Sequence, residues 1–158
     1  MALQQQLNVF GANDEALAAC EDHGLAALAR SPLAMGLLTG KYHPGGPRPA
    51  ADDVRRDTPH WDYFDDDAFP AWSARVEAIR AALTGDGRTL SQGALGWIWA
   101  RSPVAIPIPG FRTVAQVEEN VGALARGPLA PGAMVAVDVA LGRARATPPR
   151  PAAAAPRA

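Results

Sequence analysis

The 158-residue sequence predicts an α/β fold built on a parallel sheet, and three observations predict it. Short apolar runs at residues 2–10, 25–29 and 104–108 read as strands, and segments of helical periodicity separate them. That alternation argues for parallel pairing with right-handed crossovers. The third run breaks at Pro109-Gly110 and enters a helix with Thr113 as its cap and an apolar stripe at Val114, Val117, Val121 and Leu124. A strand that turns into a helix N-terminus bares backbone N–H groups and the positive end of the helix dipole. Arg112 adds a permanent planar cation at the same place. Residues 106–120, IPIPGFRTVAQVEEN, thus have the chemistry of an anion site, with phosphate as the first choice of anion. An ordinary βα turn beside a solvated arginine is the competing reading. Three strands are few, because a parallel sheet needs helices on both faces and neighbours on both edges. The chain reads as part of something larger.

Taken in order, the first strand ends at Gly11-Ala12-Asn13, and a short helix follows from Asp14 to His23. Asn13 or Asp14 caps it, and Gly24 stands just past its end, where a left-handed residue is wanted. Residues 25–29 are apolar and short, as in a strand buried on both faces. They lead into Arg30-Ser31-Pro32-Leu33 and the glycines Gly36 and Gly40. Residues 43–67 form a long surface loop with the prolines of HPGGPRP, an acidic–basic patch at 52–57 and the triad Asp65-Asp66-Asp67. Trp61, Tyr63 and Phe64 imply that part of this loop packs on something. Helical spacing returns at Phe69, Trp72, Val76, Ile79 and Leu83, ends at Gly85-Asp86-Gly87, and resumes over residues 91–101 with Leu90, Ala94, Trp97 and Ile98 on one face. A last helix spans residues 131–142, with Pro131 in its first turn. The ordered domain is therefore 1–146. Residues 147–158 form a Pro/Ala tail read as disordered.

Composition narrows the function. A content of 48% hydrophobic and 20% charged residues is that of a globular chain, and a net charge of −1 offers no basic field to nucleic acid or a membrane surface. A helix-turn-helix reading of residues 91–120 fails on its prolines and on Glu118 and Glu119 in the recognition position. No basic n-region with an apolar run opens the chain, and no window reaches spanning length. Cys20 stands alone, which fits a reducing compartment, so a cytoplasmic location is expected. His23, His43 and His60 lack metal-ligand spacing, and no metal site is read. The acidic triad is assigned to the dipole of the helix that follows it. Lys41-Tyr42 is read as a solvated lysine beside a packed tyrosine, since neighbours on a helix or strand point apart. Ser31 and Gly36 either let a backbone approach phosphate or are plain turn residues. Gln4 and Asn8 line either a pocket or an exposed face.

With these residues in view, the sequence resembles the C-terminal half of an aldo-keto reductase. QQQLN at residues 4–8 resembles the family's QxxYN strand, with Leu7 where tyrosine is common. ACEDHGLAALARSPLAMGLLTGKY at 19–42 resembles its SPLxxGxLTGK loop with the preceding helix and strand. LSQGALGWIWA at 90–100 resembles a late helix, and IPIPGFRTVAQVEEN the phosphate-binding signature. The resemblance implies a partial TIM (β/α)8 barrel, about the last three of eight strands, and NADPH as cofactor for reduction of an aldehyde or ketone. It implies that Gly110, Phe111 and Arg112 meet the adenosine 2′-phosphate, with Gln116 and Asn120 at the adenine. Ser31, Pro32, Leu33 and Gly36 would hold the pyrophosphate and ribose, and Gln4 the nicotinamide carboxamide. Arg30 stands where many members stack a tyrosine on the nicotinamide. The family's catalytic Asp, Tyr, Lys and His belong to the first half of the barrel. No catalytic residue is therefore assigned, and the isolated chain is expected to be inactive unless an N-terminal half completes it. Exposed strand edges are expected to favour self-association. The alternative is a non-catalytic nucleotide-binding or protein-interaction remnant.

Overall fold

The computed structural model describes residues 1–143, and the tail expected at 147–158 lies outside them. The elements run β1 (Ala2–Gln6), α1 (Asp14–Asp22), β2 (Ala26–Arg30), α2 (Phe69–Thr84), α3 (Leu90–Arg101), β3 (Ala105–Pro107), α4 (Val114–Arg126) and α5 (Pro131–Ala140). A 3₁₀ segment, Ala34–Thr39, follows β2. The sheet is parallel and ordered β1-β2-β3. Its register places Ala27 beside Ala105, and Gln4 beside Leu28 beside Ile106. Side chains alternate across a pleated strand, so these two rows lie on opposite faces. Ala27, Ala29 and Ala105 are buried, with α1 in contact with β2 and α3 with β3. The other face carries Gln4, Leu28, Arg30 and Ile106 and stays open: Gln4 and Arg30 are exposed, and Ile106 keeps 48% of its surface. One face is covered by helices and one is bare.

Local chemistry explains the boundaries. β1 stops at Gln6, short of residue 10, because Asn8 and Gly11 exchange both backbone hydrogen bonds at 3.0 Å and close a tight turn. Leu7 and Val9 are buried all the same. Asn13 caps α1 by accepting from Ala16 N–H at 3.0 Å, and Gly24 takes φ 62° just beyond the helix. The capping box of α3 pairs Thr89 with Gln92 in both directions. β3 is shorter and more open than a buried strand: Pro107 and Pro109 bring no N–H, and the strand sits at the edge of the sheet among the described residues.

One expectation is corrected. The apolar stripe of α4 does not face the core: Val114, Val121 and Leu124 are all exposed, and Ala123 is the helix's buried residue. The small face of Gly122 and Ala123 lets α4 approach α3, where Gln92 Nε2 donates to the Glu119 carbonyl at 3.1 Å. The acidic triad directly precedes Ala68, the N-cap of α2, and its middle member has a further use. Asp66 takes hydrogen bonds from Arg48 and Arg56 and ties the long loop together. Phe64 and Tyr63 bury that loop, and Arg48 lies 3.8 Å over the Phe69 ring.

α2 ends in close approach to α3. A Cβ on Gly93 would stand 2.2 Å from the Leu83 carbonyl oxygen, a backbone atom that cannot turn away. Gly93→Ala is expected to destabilise the fold by about 2 kcal/mol through overpacking. Thermal unfolding of the variant checks this, and an unchanged midpoint would contradict the close approach.

Candidate cofactor site

The exits of the three strands are stitched together. Leu7 N–H donates to the Arg30 carbonyl at 3.2 Å, and Ile108 N–H donates to the Ala29 carbonyl at 3.1 Å. Asn8 is almost fully buried: its Nδ2 donates to the Ser31 carbonyl at 3.1 Å, and its Oδ1 accepts from Phe10 N–H at 2.9 Å. It therefore lines neither a pocket nor an exposed face. It pins the exit of β1 to the exit of β2.

The turn after β2 is wound left-handed. Ser31 (φ 53°), Ala34 (φ 47°) and Met35 (φ 55°) join Gly36 (φ 96°) in a region that side-chain-bearing residues avoid. Each such non-glycine residue costs on the order of 1–3 kcal/mol, and strain of this kind gathers at ligand sites. Pro32, Leu33 and Ala34 are buried and hold the turn from below, with Thr39 Oγ1 donating to the Gly36 carbonyl at 2.7 Å.

The segment after β3 is built differently. Thr113 caps α4 by accepting from Gln116 N–H at 3.3 Å, and Gln116 Oε1 accepts from Arg112 N–H at 2.7 Å. The two bonds fix the backbone of Arg112 at the mouth of the helix and commit the Gln116 side-chain carbonyl to that purpose. Gly110 keeps an ordinary φ, and no atom lies within 4 Å of where its Cβ would stand, so its value here is bareness rather than conformational freedom. Gly110, Phe111 and Arg112 are exposed; Asn120 lies one helical step beyond Gln116 and is half-buried. Gln4 lies two residues back from the end of β1, on the open face with Arg30.

Arginine usage singles out the same place. Eleven arginines fall among the described residues. Eight make side-chain hydrogen bonds or ion pairs, and Arg75 stacks on Phe10 and Trp72. Only Arg30 and Arg112 have guanidinium groups without any such partner among the described residues; Arg30 ends β2, and Arg112 lies between β3 and α4. Among the described arginines these two are left for a ligand.

Sequence reading did not find a third element of the site. In the long loop, Arg55 binds Asp53 through Nε at 2.8 Å and Nη2 at 2.6 Å, and its Nη1 reaches Tyr42 Oη at 2.8 Å and the Met35 carbonyl at 3.4 Å. Tyr42 is buried and Lys41 exposed. Arg55 holds the Asp53 carboxyl well below the usual carboxylate range, and the charge of Arg112 adds to the effect. A lowered carboxyl stabilises the fold above the ordinary titration range near pH 4 and loses that contribution as pH falls through the lowered value. Asp53→Asn is therefore expected to narrow its stability gap to the parent chain below about pH 4, which melting at pH 7 and pH 3 would show. Among the described residues no three His, Cys, Asp or Glu side chains gather as a metal site, and no helix is long and apolar enough to cross a membrane. A cavity of about 380 Å³ lined by Tyr42, His43, Ser73, Glu77 and Arg80 among others includes none of the residues expected to bind cofactor.

Comparison with known proteins shows the family of the chain. The sequence model of the Aldo/keto reductase family matches residues 1–141, and the chain belongs to that family. Aldo-keto reductase str7 of Strobilurus tenacellus is 39% identical over 101 residues, 63% of this chain and 29% of its own. Aldo-keto reductase yakc [NADP(+)] of Schizosaccharomyces pombe is 32% identical over 106 residues, 67% of this chain and 30% of its own. Among solved structures, glycerol dehydrogenase AKR11B4 from Gluconobacter oxydans superposes with a TM-score of 0.75 at 29% identity, covering 89% of this chain and 42% of that one. Aldo-keto reductase AKR11C1 from Bacillus halodurans gives 0.61 at 22%, a likeness of fold. The chain thus spans under a third of the length of these curated relatives and about two fifths of these structures.

Proposed function

We propose that these residues form the cofactor-binding, carboxyl-terminal portion of an NADP(H)-dependent aldo-keto reductase barrel that reduces a small aldehyde or ketone. One observation carries the reading: the two guanidinium groups without a partner among the described residues, Arg30 and Arg112, flank the strained turn after β2 and the capped mouth of α4. A dinucleotide with a 2′-phosphate matches that pattern, because it brings a terminal dianion for Arg112 and a pyrophosphate for the turn. On this reading Gly110, Phe111 and Arg112 hold the 2′-phosphate, and the free amide N–H groups of Gln116 together with Asn120 face the adenine. Ser31, Pro32, Leu33 and Gly36 hold the pyrophosphate and ribose. Gln4, on the open sheet face, orients the carboxamide, and Arg30 lies beside the nicotinamide. When bound, NADPH supplies the hydride for the carbonyl carbon.

The proton for the carbonyl oxygen is assigned to barrel strands outside these 158 residues, on the same or another polypeptide. Those strands would also cover the open face of Gln4, Leu28 and Ile106 and pair with the edges of β1 and β3. The reading carries with it a cytoplasmic location, supported by the single buried Cys20. Its test is a calorimetric titration with NADPH together with an assay of NADPH consumption on small aldehydes. Binding without turnover is expected, and turnover by this chain alone or failure to bind would contradict it. The bare face is also expected to make the melting temperature rise with protein concentration, as association covers it. A concentration-independent melt of a monomer would contradict that expectation.

A further inference from the structure

We propose that Arg55 is a positioning residue for the pyrophosphate of the cofactor, acting through Tyr42 and the Met35 carbonyl to hold the left-handed turn after β2. The inference rests on the reading of these residues as a dinucleotide site. Its ground is the way the turn is supported. Met35 and Gly36 adopt φ 55° and 96°, and this backbone needs a fixed neighbour to persist. Arg55 is that neighbour. Its Nη1 bridges Tyr42 Oη at 2.8 Å and the Met35 carbonyl at 3.4 Å, and the same nitrogen lies 3.5 Å from where a Cβ on Gly36 would stand.

The guanidinium is itself held. Asp53 grips Nε and Nη2 from one side, and the rings of Tyr42 and Phe64 lie 5.3 and 5.7 Å from its centre. Both Nη groups and Nε therefore have partners within the protein, and the side chain is 19% exposed. Arg55 is placed to shape the turn, not to bind phosphate itself. This separates it from Arg112, whose guanidinium has no partner among the described residues. The long loop thereby carries the Asp53–Arg55 pair beneath one phosphate segment and within electrostatic reach of the other.

The experiment divides the cofactor into its parts. The chain is titrated with adenosine 2′-monophosphate, which has the 2′-phosphate and no pyrophosphate, with ADP-ribose, which has the reverse, and with NADPH. Arg55→Met is expected to weaken ADP-ribose and NADPH about tenfold, the worth of one charge-assisted hydrogen bond, and to leave adenosine 2′-monophosphate unchanged. Tyr42→Phe, nearly isosteric, should give the same pattern more weakly and serves if Arg55→Met fails to fold. Arg112→Ala should weaken adenosine 2′-monophosphate and NADPH and leave ADP-ribose unchanged. Equal weakening of all three ligands by the Arg55 and Tyr42 variants, or unchanged ADP-ribose binding, would overturn the proposal while leaving the dinucleotide site intact. Failure of the unmodified chain to bind any of the three would overturn both.

Discussion

Arg112→Ala is expected to weaken NADPH binding by about 10- to 100-fold and to leave NADH binding unchanged. A charge-assisted hydrogen bond to phosphate is worth about 1.5–3 kcal/mol, and each 1.4 kcal/mol is a factor of about ten. The loss falls on NADPH alone because only its 2′-phosphate reaches this end of the site. The substitution is clean on structural grounds. The side chain is exposed and makes no bond within the described residues, while the backbone N–H of residue 112 stays bonded to Gln116 and the cap on α4 survives. Stability should move by no more than about 0.5 kcal/mol, as at an ordinary surface position. A variant that lost NADPH and NADH together would show that Arg112 supports the fold or the pyrophosphate and not the 2′-phosphate.

Arg88→Ala is expected to cost about 3–5 kcal/mol of stability, the low end of what leaving three carbonyls without their donor implies. Arg88 has a side chain only 4% exposed. Its Nη1 donates to the Gly127 carbonyl at 2.7 Å, and its Nη2 to the Arg126 and Pro128 carbonyls at 2.9 and 3.2 Å. It thereby terminates α4 and sets the path into α5. Removing it leaves the three carbonyls without this donor, each a penalty of about 1–3 kcal/mol where water cannot enter. Gly96 makes the arrangement possible, since a Cβ there would stand 2.4 Å from Arg88 Nη1. At about 2–4 °C per kcal/mol for a chain of this size, the midpoint should fall by roughly 6–20 °C. Arg88→Lys keeps the charge and loses the fork, and should rescue little. Thermal unfolding of both variants decides this. A fall under about 2 °C for Arg88→Ala would mean that other groups hold the end of α4.

The fold is legible in the sequence where short-range rules govern. Asn13 and Thr113 cap helices because a side-chain oxygen before an apolar period has one local use, and Gly24 sits where a helix end calls for positive φ. The parallel sheet follows from alternation alone. The capping box at Thr89 and Gln92 is equally local, a T-x-x-Q pattern that sequence reading missed. Other features lie beyond local rules. Period places the stripe of α4 correctly as a line of residues and yet gives the wrong side, because the helix approaches α3 through Gly122 and Ala123 and not through its valines. The links from Arg55 to Tyr42 and Met35 span 13 and 20 residues of irregular chain, and Arg88 reaches carbonyls about 40 residues away. No periodicity encodes such contacts. The charges at 52–57 are visible as a patch; their partners are not.

The central claim is that this chain reads the 2′-phosphate of a dinucleotide, and the most direct measurement compares NADPH with NADH on the unmodified chain. Saturation is followed through the fluorescence of Trp61, Trp72, Trp97 and Trp99 at low salt and at physiological salt. NADPH is expected to bind at least about tenfold more tightly than NADH, with the preference shrinking as salt screens the exposed Arg112. Equal affinity for the two dinucleotides, or saturable binding of neither by the folded chain, would contradict it.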